Sequence, residues 1–360
     1  MTPRSSASDY FDQYTWQQAR KHDLLKYYLG GWFPKIADLG GRALYCETHA
    51  GRGKHKSGES GSPVVALETL LSHRLRPQIL AKSEIRFLFL ELDESSASHL
   101  QEALKQYSLP PQVRVEVRTG DFKAVLSAAI DSLETHGKSL APALTFMDPF
   151  GYDIPHDLIV RLLNQRSGEV LLTFMANAVA RAMRDPTKVA NLTRLYGPQD
   201  WQAVAQLEDF EEQKTAAIDL YERSIGARWS TSVRLTGQTD YALMHFTSHV
   251  EGRELMKRAA WSLDKTGGYQ LFKTDDPQQL TLIELNPNLQ MLGTGVRRGF
   301  GGRDVSYSEL ASWLLETDWI GSQLNKVLMD GKKAGWVETK HHGKFGPSMK
   351  ERIKILGLPQ

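Results

Sequence analysis

Residues 143–155 read ALTFMDPFGYDIP: a nearly unbroken apolar run, then Asp148, Pro149, Phe150, Gly151 and Tyr152. A short apolar run of this kind predicts a strand buried on both faces, as in a parallel sheet. The acid, proline and glycine after it predict a turn at the carboxyl end of that strand.

Strand and helix patterns alternate on both sides of this strand. The other predicted strands lie in RALYCETHAG (42–51), IRFLFLELD (85–93), VRVEVRTGD (113–121) and EVLLTFMAN (169–177). Helical patterns of about ten residues or more separate them, and such connections join parallel strands through right-handed crossovers. The sequence therefore predicts an α/β fold with a doubly wound, mostly parallel sheet.

The segments before and after these strands are predicted to be mainly helical. Residues 8–39 have helical spacing, and Gly30-Gly31 predicts either two helices or one broken helix. SPVVALETLLSHRL (62–75) reads as a helix with Ser62 as N-cap and Pro63 at its first position. A late strand is predicted at 241–249, and residues 264–279, rich in Gly, Asp and Pro, predict a domain boundary.

Composition limits the class of protein. The chain has 360 residues, 41% hydrophobic and 24% charged, with a formal net charge of +2. The single cysteine, Cys46, excludes an internal disulfide and a multi-cysteine zinc site. The first twenty residues lack the apolar core of a signal peptide, and no apolar run is long enough to span a membrane. We therefore expect a cytoplasmic protein without a membrane partner.

Ligands of doubly wound sheets bind at the carboxyl ends of the strands. The candidate residues at the ends of the first three strands are Glu47, Ala50, Gly51, Gly53, Glu91, Asp93, Asp121 and Phe122. A glycine turn allows close backbone approach to a ligand, an acid at the end of strand two suits ribose hydroxyls, and an acid beside an aromatic ring suits adenine. A structural turn at the glycines and helix N-caps at the acids are the alternatives. In succession the motifs predict an adenosine-bearing cofactor.

Two nucleotide-binding motifs, the dinucleotide fingerprint and the phosphate loop, are absent from the sequence, and their absence limits which adenosine-bearing cofactor is expected. No helix begins for nine residues after Gly53 and no third glycine follows in place, so the dinucleotide fingerprint is absent. There is no GxxxxGK[ST] phosphate loop either. The order of motifs resembles class I methyltransferases, which implies S-adenosyl-L-methionine (SAM) as the cofactor.

The DPFGY sequence resembles two methyltransferase motifs. In enzymes that methylate exocyclic amines of bases, a motif of the [DNS]PP[YFW] type accepts hydrogen bonds from the amine and stacks an aromatic ring on the base. Phe150 stands where the second proline would be, and the sequence is also similar to the DPFG of tRNA guanine-N2 methyltransferases. The resemblance implies catalytic roles for Asp148, Pro149, Phe150 and Tyr152. The alternative is an acid that caps the next helix, with the aromatic rings packed as a lid.

Most of the chain resembles the three-Cys-motif partner protein family. The similar segments are ARKHDLLKYYLGGW, YCETHAGRGKHKSGESGSPVVALE, FLFLELD, GDF, FMDPFGYDIP, VLLTFMAN and EGRELMKRAAW. Glu47, Thr48 and His49 replace the first residues of the family's D-x-F-A-G-x-G loop. The resemblance implies a Rossmann-like class I methyltransferase core and a C-terminal winged helix-turn-helix module, often beside a radical-SAM-like protein with three cysteines.

Three domains are expected: an N-terminal helical segment (1–40), a SAM-methyltransferase-like domain (41–268) and a winged helix-turn-helix domain (269–360). Residues 291–360 carry 11 Lys and Arg against 7 Asp and Glu, a surplus of four. That modest surplus is compatible with nucleic-acid phosphates or with an ordinary solvated face.

Three functions follow from these patterns. The first is a SAM-dependent N-methyltransferase that acts on a base amine of DNA or RNA held by the winged helix. The second is a non-catalytic or cofactor-binding protein that docks to a three-Cys-motif protein. A nuclease fits least, because each acid sits on a separate strand end and Phe150-Gly151 has no role in two-metal chemistry.

Several other polar residues have patterns that are less specific for a site. Lys21 and His22 have the pattern of surface residues on an amphipathic helix, which is favoured over contact with the cofactor carboxylate. Asn177 and Arg181 face the substrate or cap a helix. The eleven histidines show no metal-ligand spacing.

Overall fold

A computed structural model describes residues 14–237, 239–267, 269–272 and 287–358. The described part forms two compact units. The first covers Met1–Leu255 and Gln270–Gln279, and the second covers Met256–Tyr269 and Leu280–Gln360. The three predicted domain boundaries stay a prediction.

The first unit is built on an eight-stranded sheet with the order β3-β2-β1-β4-β5-β7-β6-β8. Its strands are β1 (Gly41–Glu47), β2 (Ser83–Glu91), β3 (Val113–Thr119), β4 (Ala143–Met147), β5 (Gly168–Phe174), β6 (Trp229–Thr236), β7 (Tyr241–Thr247) and β8 (Gln270–Phe272). Strands β1 to β5 pair in parallel, and β7 runs antiparallel to both β5 and β6. The predicted fold class is confirmed: α/β, with a doubly wound, mostly parallel sheet.

Helices connect the strands and cover both faces of the sheet. They are α1 (Trp16–Ala37), α2 (Ser62–Leu71), α3 (Arg76–Lys82), α4 (Glu94–Lys105), α5 (Phe122–Thr135), α6 (His156–Leu163), α7 (Ala176–Met183), a 3-10 turn (Pro186–Lys188), α8 (Val189–Tyr196), α9 (Gln202–Ala205), α10 (Phe210–Ile225) and α11 (Val250–Leu263). Every residue of β4, β5 and β7 is buried, because helices lie over both faces there. None of the described helices is long and apolar enough to cross a membrane.

The chain reverses its direction of winding between β1 and β4, which are adjacent although two strands separate them in sequence. In their register Glu47 lies beside Phe146. The carboxyl ends of β1 and β4 therefore meet at the switch point, where doubly wound sheets bind ligands.

The predicted break at Gly30-Gly31 is wrong, because α1 is one continuous helix from Trp16 to Ala37. A Cβ atom on Gly31 would stand 2.4 Å from a methyl carbon of Leu255, so this glycine makes room for a packed side chain instead of ending the helix. The prediction of helical spacing also covered residues 8–13, which lie outside the described residues.

The prediction for the start of α2 is also corrected. Gly61 is the N-cap, Ser62 is already helical, and Pro63 lies in the first turn. The Ser62 hydroxyl is directed to the carboxylate of Glu47, so it is not available for capping.

The second unit is a small helical domain with its own sheet. Its elements are α12 (Leu289–Phe300), β9 (Arg303–Val305), α13 (Tyr307–Leu315), α14 (Gly321–Lys333), β10 (Val337–Glu338) and β11 (Ile353–Ile355). The strands form an antiparallel sheet with the order β10-β11-β9. A separate apolar core that includes Leu292, Leu310, Leu324 and Ile353 holds them together.

Candidate active site

A cavity opens at the switch point, and it joins three parts of the chain that are far apart in sequence. It is lined by Gln18, Lys21, His22, His49, Ala50, Gly51, Arg52, Gly53, Lys54, His55, Gly61, Ser62, Asp148 and Phe150. Helix α1 supplies the first three, the loop from β1 to α2 supplies the middle group, and the end of β4 supplies the last two. Five of the predicted site residues thus meet here: Ala50, Gly51, Gly53, Asp148 and Phe150.

Asp148 forms an ion pair with Lys21. The lysine side chain is 4% exposed and the aspartate 19% exposed, so the pair is shielded from water. Burial would raise the pKa of Asp148, but the Lys21 ammonium, with smaller contributions from Thr173 and His49, outweighs it and holds that pKa below its ordinary value. The carboxylate is therefore ionised at neutral pH and can only accept hydrogen bonds. The favoured surface position for Lys21 and His22 is wrong, since both are buried in this cavity.

Glu47 lies fully buried beside this pair, at the end of β1. The Tyr45 hydroxyl donates to it at 3.1 Å, and the Ser62 hydroxyl donates to its other oxygen. Burial raises the pKa of Glu47 to about 8, and the nearby Asp148 charge contributes in the same direction. Glu47 does not line the cavity, so its predicted contact with the cofactor gets no support from the geometry.

The glycine loop rests on the acid at the end of β2. The Gly51 amide donates to Glu91 at 2.7 Å, and the Asp93 amide donates to the other carboxylate oxygen at 2.9 Å. Gly51 has φ +63°, a conformation that favours glycine. The structure therefore brings the first two predicted motifs into direct contact.

Packing on a neighbouring helix explains why position 53 is a glycine. Its φ is +77°, and a Cβ atom there would stand 2.7 Å from a methyl carbon of Leu100 in α4. The glycine thus allows the loop to pack on α4, whether or not a ligand approaches.

Asp93 and Asp121 both cap helices, as the alternative interpretation has it. Asp93 accepts from the Ser96 amide at 2.7 Å, and Asp121 accepts from the Lys123 amide at 2.9 Å. Phe122 begins α5 and is buried, with its ring centroid 4.8 Å from that of His49. These three residues do not line the cavity, and their cofactor-binding roles stay predictions.

Within the DPFGY turn the two aromatic rings are placed differently. Pro149 is buried, Phe150 is 56% exposed beside the cavity, and Tyr152 packs against the core at intermediate exposure. Gly151 has φ +110°, which lets the chain turn sharply between the two rings. Phe150 is therefore available to a ligand, whereas Tyr152 is partly used in packing.

Three histidines, His22, His49 and His55, surround the cavity, and none of them was among the predicted site residues. Burial lowers the pKa of His22 to about 3, with Lys21 adding to the effect, and burial also lowers the pKa values of His49 and His55. The Tyr14 hydroxyl lies 2.9 Å from Nδ1 of His22. These rings are uncharged at neutral pH, and the described residues contain no cluster suited to a metal ion.

Asn177 and Arg181 lie in α7, where the Arg181 guanidinium donates to the Asn177 carbonyl at 3.1 Å. The bond joins two residues one helical turn apart, and neither residue lines the cavity. Neither residue caps α7, whose N-cap is Met175 and whose C-cap is Arg184, so the capping alternative is wrong, and substrate contact stays a prediction.

The donor set around the glycine loop fits SAM in its chemistry. Glu91 accepts two amides, and a carboxylate has about four acceptor positions, so positions remain for ribose hydroxyls. Lys21 also lines the cavity, but its ammonium is paired with Asp148. The cavity itself holds only about 50 Å³, so it could accept only part of the cofactor, and the ribose would lie outside it at Glu91, which does not line the cavity.

Comparisons with known proteins give the following. No family model matches the chain, and no curated protein matches its sequence. Among solved structures, a Legionella pneumophila protein is 16% identical over 63% of this chain and 85% of its own, with a TM-score of 0.34.

Two methyltransferase structures are similar to the same degree. An O-methyltransferase from Bacillus cereus in complex with SAH is 15% identical over 69% of this chain and 93% of its own, with a TM-score of 0.33. The METTL16 MTase domain is 12% identical over 62% and 83%, with a TM-score of 0.32. The fold assignment follows from the strand order and pairing described above.

Proposed function

We propose that the protein is a SAM-dependent methyltransferase that acts on an exocyclic amine of a nucleic-acid base. The observation that carries the proposal is the position of Asp148. Its ionised carboxylate lies at the end of β4, in one cavity with the glycine loop and beside the exposed ring of Phe150. Such a group accepts hydrogen bonds from an amine, and an exposed ring offers a surface for a planar base.

The strand order supports a ligand site at the same place. The chain reverses its direction of winding between β1 and β4, and ligands of doubly wound sheets bind at such a switch point. Residues at the ends of β1 and β2 would then hold the cofactor, with Glu91 on the ribose and the Gly51 backbone close by. Bound SAM supplies the methyl group.

The chain's own residues would position the amine. Asp148 and the Pro149 carbonyl accept the two amine hydrogens, which directs the nitrogen lone pair toward the methyl group, and Phe150 stacks on the base. Lys21 is a positioning residue in this scheme, because it fixes the carboxylate and keeps it ionised. Uncharged His22 and His49 add no cation that would compete with Lys21.

The second unit supports a nucleic-acid partner. Its element order, helix-strand-helix-helix-strand-strand, is compatible with the winged helix-turn-helix module that the family resemblance implies. The segment from 339 to 352, between β10 and β11, carries four exposed cations and a single acid. They are Lys340, Lys344, Lys350 and Arg352 against Glu351. Cations in such a wing would bind phosphates and contribute affinity that falls with salt.

The second candidate is a partner protein that does not catalyse and docks to a three-Cys-motif protein. One observation favours it: Lys21 already occupies the Asp148 carboxylate, and the cavity is small. In this case the fold is retained for binding alone.

The two candidates differ in cofactor binding and in methyl transfer. Calorimetry with SAM should detect binding by the full-length protein, and transfer of labelled methyl groups to RNA and DNA oligonucleotides should detect activity. Asp148→Ala should reduce transfer at least about a hundredfold, about 2.7 kcal/mol of transition-state stabilisation, because the amine loses its acceptor. SAM affinity should change little.

The matched control is Asp153→Ala in the same turn. Asp153 is 56% exposed and pairs with Lys123 and Arg194 outside the cavity, so its loss should leave transfer nearly unchanged. Equal loss in both variants would assign Asp148 to the stability of the turn. Failure of the wild type to bind SAM would favour the partner-protein function.

A further inference from the structure

A larger cavity lies at the opposite edge of the sheet. It holds about 260 Å³ and is formed by residues of α1, the turn before β5 and the first turns of α11. Its wall is mainly apolar and aromatic, with Tyr28, Trp32, Ile36, Leu39 and Leu255. Its volume exceeds that of cavities known to hold benzene, about 150 Å³. None of the residues discussed for methyl transfer lines it.

One buried carboxylate, Glu169 near the start of β5, faces this cavity. It accepts hydrogen bonds from the Tyr28 hydroxyl at 2.5 Å, the Trp32 indole at 3.0 Å and His245 Nε2 at 3.1 Å. Burial would raise the pKa of Glu169, but the hydrogen bond and the electrostatic attraction of His245, together with the bonds from Tyr28 and Trp32, outweigh it and lower that pKa. Three donors fill three of about four acceptor positions, so Oε1, which takes only the indole, has one position left.

The backbone around Glu169 is adapted to leave this space. Gly252 in α11 has no Cβ, and one built there would stand 2.4 Å from Glu169 Oε2. Ser167, which lines the cavity, has φ +53°, a conformation that non-glycine residues rarely adopt. Backbone strain of this kind persists only where the surrounding structure enforces it.

The charges at the mouth of the cavity are already paired. Lys35 and Glu251 form an ion pair there, so the pair adds no net charge. Leu39 extends the apolar wall outward and is 54% exposed. A ligand therefore meets apolar surface first and a carboxylate at depth, between aromatic rings that attract cations.

We infer that this cavity binds a small molecule with an apolar body and a single amine head, whose ammonium donates to the open position on Glu169. The apolar wall accounts for the body, and the carboxylate between Tyr28 and Trp32 accounts for the amine. The site is independent of the proposed methyl transfer.

The test uses two probes of the same shape, 2-phenylethylamine and 3-phenylpropionate, titrated calorimetrically into the full-length protein. The amine should bind with a Kd on the order of 0.1–1 mM. The acid should bind at least about tenfold more weakly, because its charge repels Glu169. Leu39→Lys, at an exposed position, should weaken the amine at least about tenfold by like-charge repulsion.

The matched control is Leu109→Lys, a leucine of 39% exposure that does not line the cavity. It should leave amine binding unchanged. No amine binding at 10 mM, equal binding of the acid, or equal loss in the two lysine variants would each overturn the proposal. Thermal melts of both variants identify any loss that comes from unfolding.

Discussion

The two edges of the sheet each bury a glutamate, and the two are held in different ways. Glu47, at the carboxyl edge, receives two hydroxyl donors and lies near the negative Asp148. Glu169, at the amino edge, receives a phenol, an indole and an imidazole. Burial raises the pKa of Glu47 to about 8, whereas the pKa of Glu169 is lowered despite similar burial.

The difference shows that burial alone does not set the charge of a carboxyl group. The number of donors and the sign of neighbouring charges decide it. The carboxyl edge concentrates charge on the Asp148–Lys21 pair and keeps Glu47 protonated. The amino edge stabilises its negative charge with hydrogen bonds that keep a fixed geometry.

The largest loss of stability is expected at the amino edge, where Glu169→Gln would disrupt the hydrogen bonds that Glu169 accepts from Tyr28, Trp32 and His245. The amide nitrogen of glutamine would face one of three buried donors and leave it unpaired. We expect the free energy of unfolding to fall by about 3–5 kcal/mol, measured by urea denaturation. Glu251→Gln, 66% exposed at the mouth of the same cavity, should cost less than about 1 kcal/mol. Equal costs would mean that the three donors do not hold Glu169 as described.

The carboxyl edge should respond to pH. The pKa of Glu47 is about 8 in the folded protein against an ordinary 4.5, so between these values the unfolded chain releases a proton that the folded chain keeps. Stability from this group is complete below pH 4.5, falls as pH rises, and is lost above about pH 8. From pH 5.5 to 7.5 the loss should be roughly 3 kcal/mol, at about 1.4 kcal/mol per pH unit.

Glu47→Gln tests this slope, because glutamine cannot ionise. The variant should lose that part of the pH dependence, whereas Glu102→Gln, on the surface of α4, should keep it. Urea denaturation at several pH values measures both. A Glu47→Gln protein with the wild-type slope would show that another group is responsible.

The smallest effects concern α1, the helix that reaches both edges. A Cβ on Gly30 meets nothing within 4 Å, so Gly30→Ala should stabilise the protein by about 0.5–1 kcal/mol through helix propensity. Gly31→Ala should instead destabilise it by about 1 kcal/mol, because Leu255 must move. Thermal melts compare the two, and the same sign for both would contradict the continuous, packed helix.

The sequence predicted β4 and β5 because they carry uninterrupted apolar runs, and β3 because its apolar and polar residues alternate. It did not predict β6, which begins with the mostly polar residues WSTS, or β8, which has only three residues. Propensity also placed a break at Gly30-Gly31, because the pattern contains no information about Leu255. Tertiary packing decided that position.

The candidate site was predicted only in part, for a similar reason. Strand ends identified Asp148 and the glycine loop, since ligand position follows from topology. A charged residue in an amphipathic helix is normally exposed, so the pattern placed Lys21 on the surface. Local sequence could not indicate burial, because its partner Asp148 lies 127 residues away. Asp93 and Asp121 illustrate the reverse, because an acid after a strand is equally suited to capping and to binding, and both acids cap.

The way in which α1 is anchored has a consequence for synthesis. The Gln17 amide donates to the Thr239 carbonyl at 2.6 Å, and the Tyr241 hydroxyl donates to the Gln17 carbonyl at 3.0 Å. These partners lie 222 and 224 residues further along the chain, which a ribosome adding about 5–20 residues per second makes roughly ten to forty seconds later. Helix α1, which carries Lys21, is synthesised before β7, so these two hydrogen bonds can form only after Thr239 and Tyr241 have been made. While Asp148 and the glycine loop are being synthesised, the helix that carries Lys21 therefore still lacks these two hydrogen bonds.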